Sequence, residues 1–277
     1  MHPMADTIRN VAIITKTNNT EAETAAKMIT NLLITRKIKV YSILPLTLGN
    51  SAYTLSSEDL KNVNLDLVFA VGGDGTTLKA FRIIPYNTPL VSINVGGHRG
   101  ILSEVGIESI ESAIDMIVKG QYFRDFRLRI QASINGKMFP PALNDIVFTR
   151  INLTKTPILS IKLIDDEIKQ RMDGIIISTS TGSTAHSYSI GGPVLYEDMD
   201  CLIINPIASV NRMPGLVVPA IDIEIKSTHD AQLIIDGQEV FNVTADQSIK
   251  ISRFSMDAEF IRLKKRGMRQ LTKLGFW

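Results

Sequence analysis

The segment Gly72-Gly73-Asp74-Gly75-Thr76 carries the sharpest chemistry in the chain. Glycines let the backbone approach a phosphate closely, and their N–H groups form a concavity that binds anions. A helix starting behind them adds the positive end of its dipole. An acid in that setting repels the phosphate the glycines invite, unless it faces something else. Asp74 is therefore the candidate catalytic residue: its carboxylate can take or orient the proton of an acceptor alcohol while Gly72, Gly73, Gly75 and Thr76 hold the donor phosphates. The competing reading is turn chemistry, since Gly-Asp-Gly is also a good turn. No Lys-Ser or Lys-Thr pair follows the glycines, so this is not a Walker loop.

A second constellation starts at Asp173-Gly174, passes through a strand, and continues as Thr179-Ser180-Thr181-Gly182-Ser183-Thr184-Ala185-His186-Ser187, ending in Gly191-Gly192-Pro193. Hydroxyls and small residues crowded at a helix start bind ribose and phosphate oxygens. Four hydroxyl residues between Thr179 and Ser183 exceed what a helix cap needs. Asn144-Asp145 offers a carboxamide suited to the edge of an adenine, although such a pair is also common in turns. Asp236-Gly237-Gln238 has the same ambiguity and reads equally as a hairpin. His98 and Arg99 sit in a Gly-rich loop after a strand, where one of them could reach a phosphate, the competing reading being a solvated loop. His2, His98 and His229 have no zinc-site spacing with Cys201, and no residue set for a resident metal is read.

The elements that must position these residues change character along the chain. Residues 11–15, 40–44, 65–71 and 90–94 are short apolar runs typical of buried parallel strands. Between them, Thr20 and Glu23 have capping-box spacing ahead of a helical apolar period, and a second helix is expected from about Thr76 to Pro85. Strands alternating with helices indicate a doubly wound α/β sheet, with ligands beyond the carboxyl ends of its strands. A third helix is expected at 108–119, closed by Gly120. From 126 to 134 the pattern alternates with a period of two, and Asn135-Gly136 is a hairpin turn. Many short strand runs follow, which argues for a β-rich second domain. The change of periodicity sets the domains at 1–102 and 103–252.

Composition excludes several functions. The 277 residues are 44% hydrophobic and 21% charged, as in a folded globular protein. A net charge of +2 offers no field for nucleic acid or a membrane surface. The basic stretch from Arg262 to Arg269 is expected to be the wet face of a helix whose apolar side is Ile261, Leu263, Met268 and Leu271. A lone cysteine, Cys201, fits a reducing compartment, and the first ten residues hold no apolar signal core, so a cytoplasmic location is expected.

At these residues the chain resembles the NAD kinases. Gly72 to Thr76, Asn144-Asp145, Thr179 to Gly192 and Asp236-Gly237-Gln238 occur in that family's order, and residues 94–102 resemble its Asn-x-Gly-x-x-Gly-Phe-Leu segment. Asn205-Pro206 and Asn211-Arg212 resemble a further stretch. The Gly-Gly-Asp-Gly-Thr element is shared with diacylglycerol, sphingosine and 6-phosphofructo kinases; the Thr-Gly-Ser-Thr-Ala segment with Asn144-Asp145 is what narrows it. The resemblance implies a Rossmann-like N-terminal domain, a β-sandwich C-terminal domain, and a tail of about 253–277 returning to the first. It implies that Asp74 acts on the adenosine 2′-hydroxyl of NAD and that Gly73 and Gly75 line the phosphate path. Asn144 and Asp145 then hold adenine and ribose, and Thr181, Thr184, Ala185, His186 and Ser189 line the NAD pocket, with Gln238 beside them. Asp173 contacts the nicotinamide end, in some members across a subunit interface. ATP, or inorganic polyphosphate, is the implied donor, with magnesium delivered on the nucleotide and a dimer or tetramer as the assembly. His186 stands where the family usually has Tyr, Ser180 where it has Pro, and Ile101 where it has Phe. Two rivals remain at this point, a lipid or sugar kinase of the same superfamily and a silent dinucleotide-binding regulator.

Overall fold

The computed structural model describes residues 8–96, 100–264, 271, 274 and 275. The chain divides into two compact units, 1–126 with 258–277, and 127–257.

The first unit is built on a sheet whose central strands are β1 (Asn10–Thr15), β2 (Lys39–Ile43), β4 (Leu67–Gly72) and β5 (Leu90–Asn94), with a short β3 (Tyr53–Leu55) at one edge. The strands run in the order β3-β2-β1-β4-β5, and every pairing among them is parallel. β4 is buried along its whole length, which is why its sequence reads as one apolar run. Helix α1 (Thr20–Thr35) lays Ala22, Ala25, Ala26, Ile29 and Leu33 into the core. Its cap lies one residue earlier than the capping-box spacing suggests: Asn19 Oδ1, not Thr20, accepts from Ala22 N at 2.8 Å. Helix α2 (Asp74–Ile83) follows β4, and Pro85 comes just past its end.

Residues 103–126 correct the expected boundary. After β6 (Val105–Gly106), helix α3 (Ile110–Val118) buries Ile110, Ala113, Ile114 and Ile117 in the same core as α1. The fold therefore leaves the first unit about two dozen residues later than the change of periodicity suggests, because α3 is still a helix of the doubly wound layer. The run 126–134 is two strands, β7 (Phe123–Arg127) and Ile130–Ile134, in different sheets. Between them Arg129 is buried, and its Nε donates to Met256 O at 2.8 Å.

The tail holds a strand, Ala258–Arg262, inserted between β5 and β7. Arg262 is therefore no wet helical face. It is 2% exposed; of the rest of the basic stretch, Lys264 is exposed, and 265–269 lies outside the described residues.

The second unit is a sandwich of two antiparallel sheets. One runs Leu216–Pro219, Cys201–Ile207, Gly174–Thr179, Asp145–Arg150, Ala231–Ile235, Glu239–Val243. The other runs Asp166–Arg171, Ile158–Leu163, Ile223–Ser227, Ser248–Arg253, Ile130–Ile134, Lys137–Met138. Alternate residues of both sheets, among them Phe148, Ile175, Ile161, Ile225 and Ile251, make one core. Asn135 and Gly136 have φ of 49° and 80°, the left-handed pair that a two-residue hairpin requires.

Candidate active site

In the first unit the order β3-β2-β1-β4-β5 reverses between β1 and β4, and Gly72 ends β4 at that reversal. Open α/β sheets bind ligands at such a point, outside the carboxyl ends of their strands. A Cβ on Gly72 would collide with the Thr76 hydroxyl, so glycine is required there for close packing of strand and helix. Gly73 is extended and caps α2 without a side chain, and Asp74 is the first helical residue, two positions before the expected start at Thr76. Gly75 is exposed and Thr76 buried beside it. The glycine amides thus lie at a helix N-terminus whose dipole favours an anion.

Asp74 is half-buried, and both of its carboxylate oxygens are held by backbone. Oδ2 accepts from Ile101 N at 3.1 Å and Oδ1 from Leu102 N at 3.1 Å. These two amides orient the carboxylate. Gly100 lies against it, since a Cβ there would overlap Oδ1. Deeper, Thr77 Oγ1 and Ser92 Oγ are 2.6 Å apart, and Ser92 Oγ is 3.3 Å from Ser103 Oγ. Arg99, with Gly97 and His98, lies outside the described residues.

In the second unit three segments distant in sequence meet at one end of a sheet. Asn144 and Asp145 stand at the start of Asp145–Arg150, and Thr179 ends its antiparallel neighbour Gly174–Thr179. Thr179 N donates to Asn144 O at 2.9 Å, and a Cβ on Gly182 would overlap that carbonyl. The Asp236 carboxylate closes the third side, accepting from Leu143 N at 3.1 Å, Asn144 N at 2.8 Å and Asp145 N at 3.3 Å. Asp236 and Gly237 take φ of 49° and 65°, so this is a hairpin turn and a backbone clamp at once. Burial, then the nearby Asp236 charge, pushes the Asp145 carboxyl up to about 7.

The presumed helix after Thr179 is a 3₁₀ turn, Thr181–Thr184, followed by a single helical turn, His186–Ser189. Thr181 and Thr184 are buried, Ala185 is half-buried, and His186 and Ser189 are exposed. Thr181 Oγ1 is buried with no hydrogen-bond partner. A buried hydroxyl without a partner costs free energy, and a ligand can supply the missing bond. Gln238 is exposed, two residues after Asp236 in the same turn. One expected residue stands apart. Asp173 lies at the opposite end of Gly174–Thr179 from Thr179, about 20 Å along the strand. There it pairs with Arg150 at 2.8 Å.

Sequence reasoning missed the amides of Ile101 and Leu102, the Gly100 contact and the Asp236 clamp. For Asp236 the signal was present, as an Asp-Gly turn, but a turn motif does not reveal a carboxylate folded back on a distant backbone.

An α/β unit with a glycine-and-aspartate loop at its switch point, in a chain that also carries a β-sandwich with a hydroxyl-rich turn, defines a phosphotransferase class. Residues 11–122 match the ATP-NAD kinase N-terminal domain and residues 143–263 the ATP-NAD kinase C-terminal domain. The chain belongs to the NAD kinase family. It is 34% identical over 223 residues to an NAD kinase of Thermococcus sibiricus, covering 76% of this chain and 79% of that protein. It is 30% identical over 266 residues to an NAD kinase of Methanothermobacter thermautotrophicus, covering 92% of each. A crystal structure of an NAD kinase from Archaeoglobus fulgidus in complex with ATP superposes with a TM-score of 0.80 at 26% identity, covering 97% of this chain and 99% of that one.

Proposed function

We propose that this chain transfers the terminal phosphoryl group of ATP to the adenosine 2′-hydroxyl of NAD, giving NADP and ADP. The observation that carries the mechanism is the seat of Asp74: a carboxylate at the first position of α2, fixed by two backbone amides at the carboxyl end of β4. The 2′-oxygen forms a bond to the terminal phosphorus as the bond from that phosphorus to the bridging oxygen breaks. ADP leaves with the electron pair, and the 2′-hydroxyl proton passes to Asp74. Such proton handling is worth about 10²–10⁴-fold. Gly72, Gly73, Gly75 and Thr76 receive the donor phosphates against the N-terminal dipole of α2. ATP as donor is supported by the likeness to the Archaeoglobus enzyme, which was crystallised with ATP. Magnesium delivered with the nucleotide would neutralise the phosphate charge.

Asn144 and Asp145 are assigned to the adenosine moiety, with Thr181, Thr184 and Ala185 lining the same pocket. The unpartnered Thr181 hydroxyl supports that assignment. His186 and Ser189 serve its exposed rim. Asp173, at the far end of its strand, is assigned to the nicotinamide end in a dimer or tetramer, a cytoplasmic assembly whose size exclusion chromatography checks. No helix among the described residues is long and apolar enough to cross a membrane.

The test is incubation of the purified protein with NAD, ATP and magnesium, followed by detection of NADP. NAD lacking the adenosine 2′-hydroxyl should bind without being phosphorylated. A labelled product from that analogue would show that the wrong hydroxyl is assigned.

A further inference from the structure

The backbone of Leu102 is held on both sides of its Cα. Its N–H donates to Asp74 Oδ1 at 3.1 Å, and its carbonyl accepts from Arg262 Nη1 at 2.8 Å. Arg262 comes from the C-terminal strand, 160 residues further along the chain. Its side chain is 2% exposed. Its Nε donates to Asp125 Oδ2 at 3.0 Å, and Nη1 lies 3.5 Å from Glu104 Oε2. The guanidinium also stacks on Phe260, 4.2 Å from the ring centroid. Phe260 in turn meets Phe81 of α2 edge-on at 4.8 Å. Glu104 is tied on its other side, since Oε1 accepts from Leu263 N at 2.7 Å.

We propose that Arg262 is a positioning residue for phosphoryl transfer, holding the Leu102 carbonyl, and through it the backbone of Leu102, so that the Leu102 N–H fixes the Asp74 carboxylate. Arg262 touches no substrate. It acts through the Leu102 backbone, whose N–H and carbonyl lie in successive peptide planes joined at Cα. Releasing the carbonyl frees the dihedrals that aim the N–H at Asp74. A lysine in its place keeps the charge but has no planar fork with which to serve the Leu102 carbonyl and Asp125 together. A buried arginine with two buried carboxylates is also an uneconomical way to stabilise a core, because desolvation offsets much of the attraction. Orientation gives a reason for it.

The inference rests on the catalytic reading of Asp74, so Asp74→Asn is measured alongside Arg262→Lys. Arg262→Lys should lower kcat by about 10- to 100-fold, the scale of a misplaced catalytic group, with KM for NAD and ATP within about 3-fold. In the Asp74→Asn background, Arg262→Lys should cause little further loss, because the carboxylate it positions is gone. A purely structural role would lower activity equally in both backgrounds. If Asp74→Asn keeps its turnover, the catalytic reading fails and takes this inference with it. If Asp74→Asn loses turnover but folded Arg262→Lys stays within about twofold of wild type, the inference alone is overturned. Should Arg262→Lys not fold, Glu104→Gln is measured in the same two backgrounds, with the same kcat-only signature expected. An unchanged kcat in that variant, or failure of both variants to fold, would make Arg262 a residue of the fold and not of the site.

Discussion

The N–H of Leu102 lies 3.1 Å from Oδ1 of Asp74, a contact between residues 28 apart in sequence. It joins the first residue of α2 to the loop after β5, so the orientation of the Asp74 carboxylate depends on two segments and not on the glycine motif alone. A carboxylate on a flexible turn would sample many rotamers. Here Leu102 and Ile101 select one.

Gly100→Ala tests that selection. The added methyl would overlap Asp74 Oδ1, and the carboxylate must turn or the loop must move. Steady-state kinetics should show kcat reduced by roughly 10- to 100-fold with KM for NAD little altered. A variant with wild-type kcat would show that the Asp74 orientation is not critical.

Asp236→Ala removes the acceptor of three backbone amides from a position with positive φ. The expected result is a KM for NAD raised by about 10-fold or more, with a lower thermal midpoint, since buried amides left unpaired cost about 1–3 kcal/mol each. Asp236→Asn keeps a residue that tolerates the left-handed region but replaces one oxygen with a donor. It should fall between wild type and alanine in both assays. If Asn behaves as wild type, the clamp does not need the carboxylate.

Asp145 predicts a pH dependence with a definite sign. Its folded value of about 7 lies above the ordinary 3.8, so the native state holds the proton more tightly than the unfolded chain does. Stability from this group is complete below the ordinary value and is lost as pH rises towards 7. Urea denaturation of wild type and Asp145→Asn between pH 4.5 and 8 should show wild type losing stability relative to the variant, by at most about 1.4 kcal/mol per pH unit. Parallel curves would mean that Asp145 titrates normally.

Much of the fold was legible because parallel strands buried on both faces must be apolar throughout, as residues 67–71 are. Strands such as Tyr53–Leu55 and Lys137–Met138 are too short to establish a period. Ala258–Arg262 was hidden for a different reason. Arg262 reads as part of a wet basic face, yet it is 2% exposed, and Glu259 beside it in the strand is 6% exposed. Their partners, Arg124 and Asp125, stand more than 130 residues away. Pairing of that kind leaves no local pattern. In the site, Asp74, Asn144 and the hydroxyl turn were legible as residue types. The backbone groups that orient them were not, because every residue carries an amide and only the fold decides which ones converge.

The most direct test of the account is the turnover of Asp74→Asn with NAD, ATP and magnesium, measured with NAD affinity by direct binding. NAD binding should stay within a few-fold of wild type, and NADP formation should be slower by at least about 100-fold. Near-normal NADP formation by a folded Asp74→Asn enzyme would contradict it.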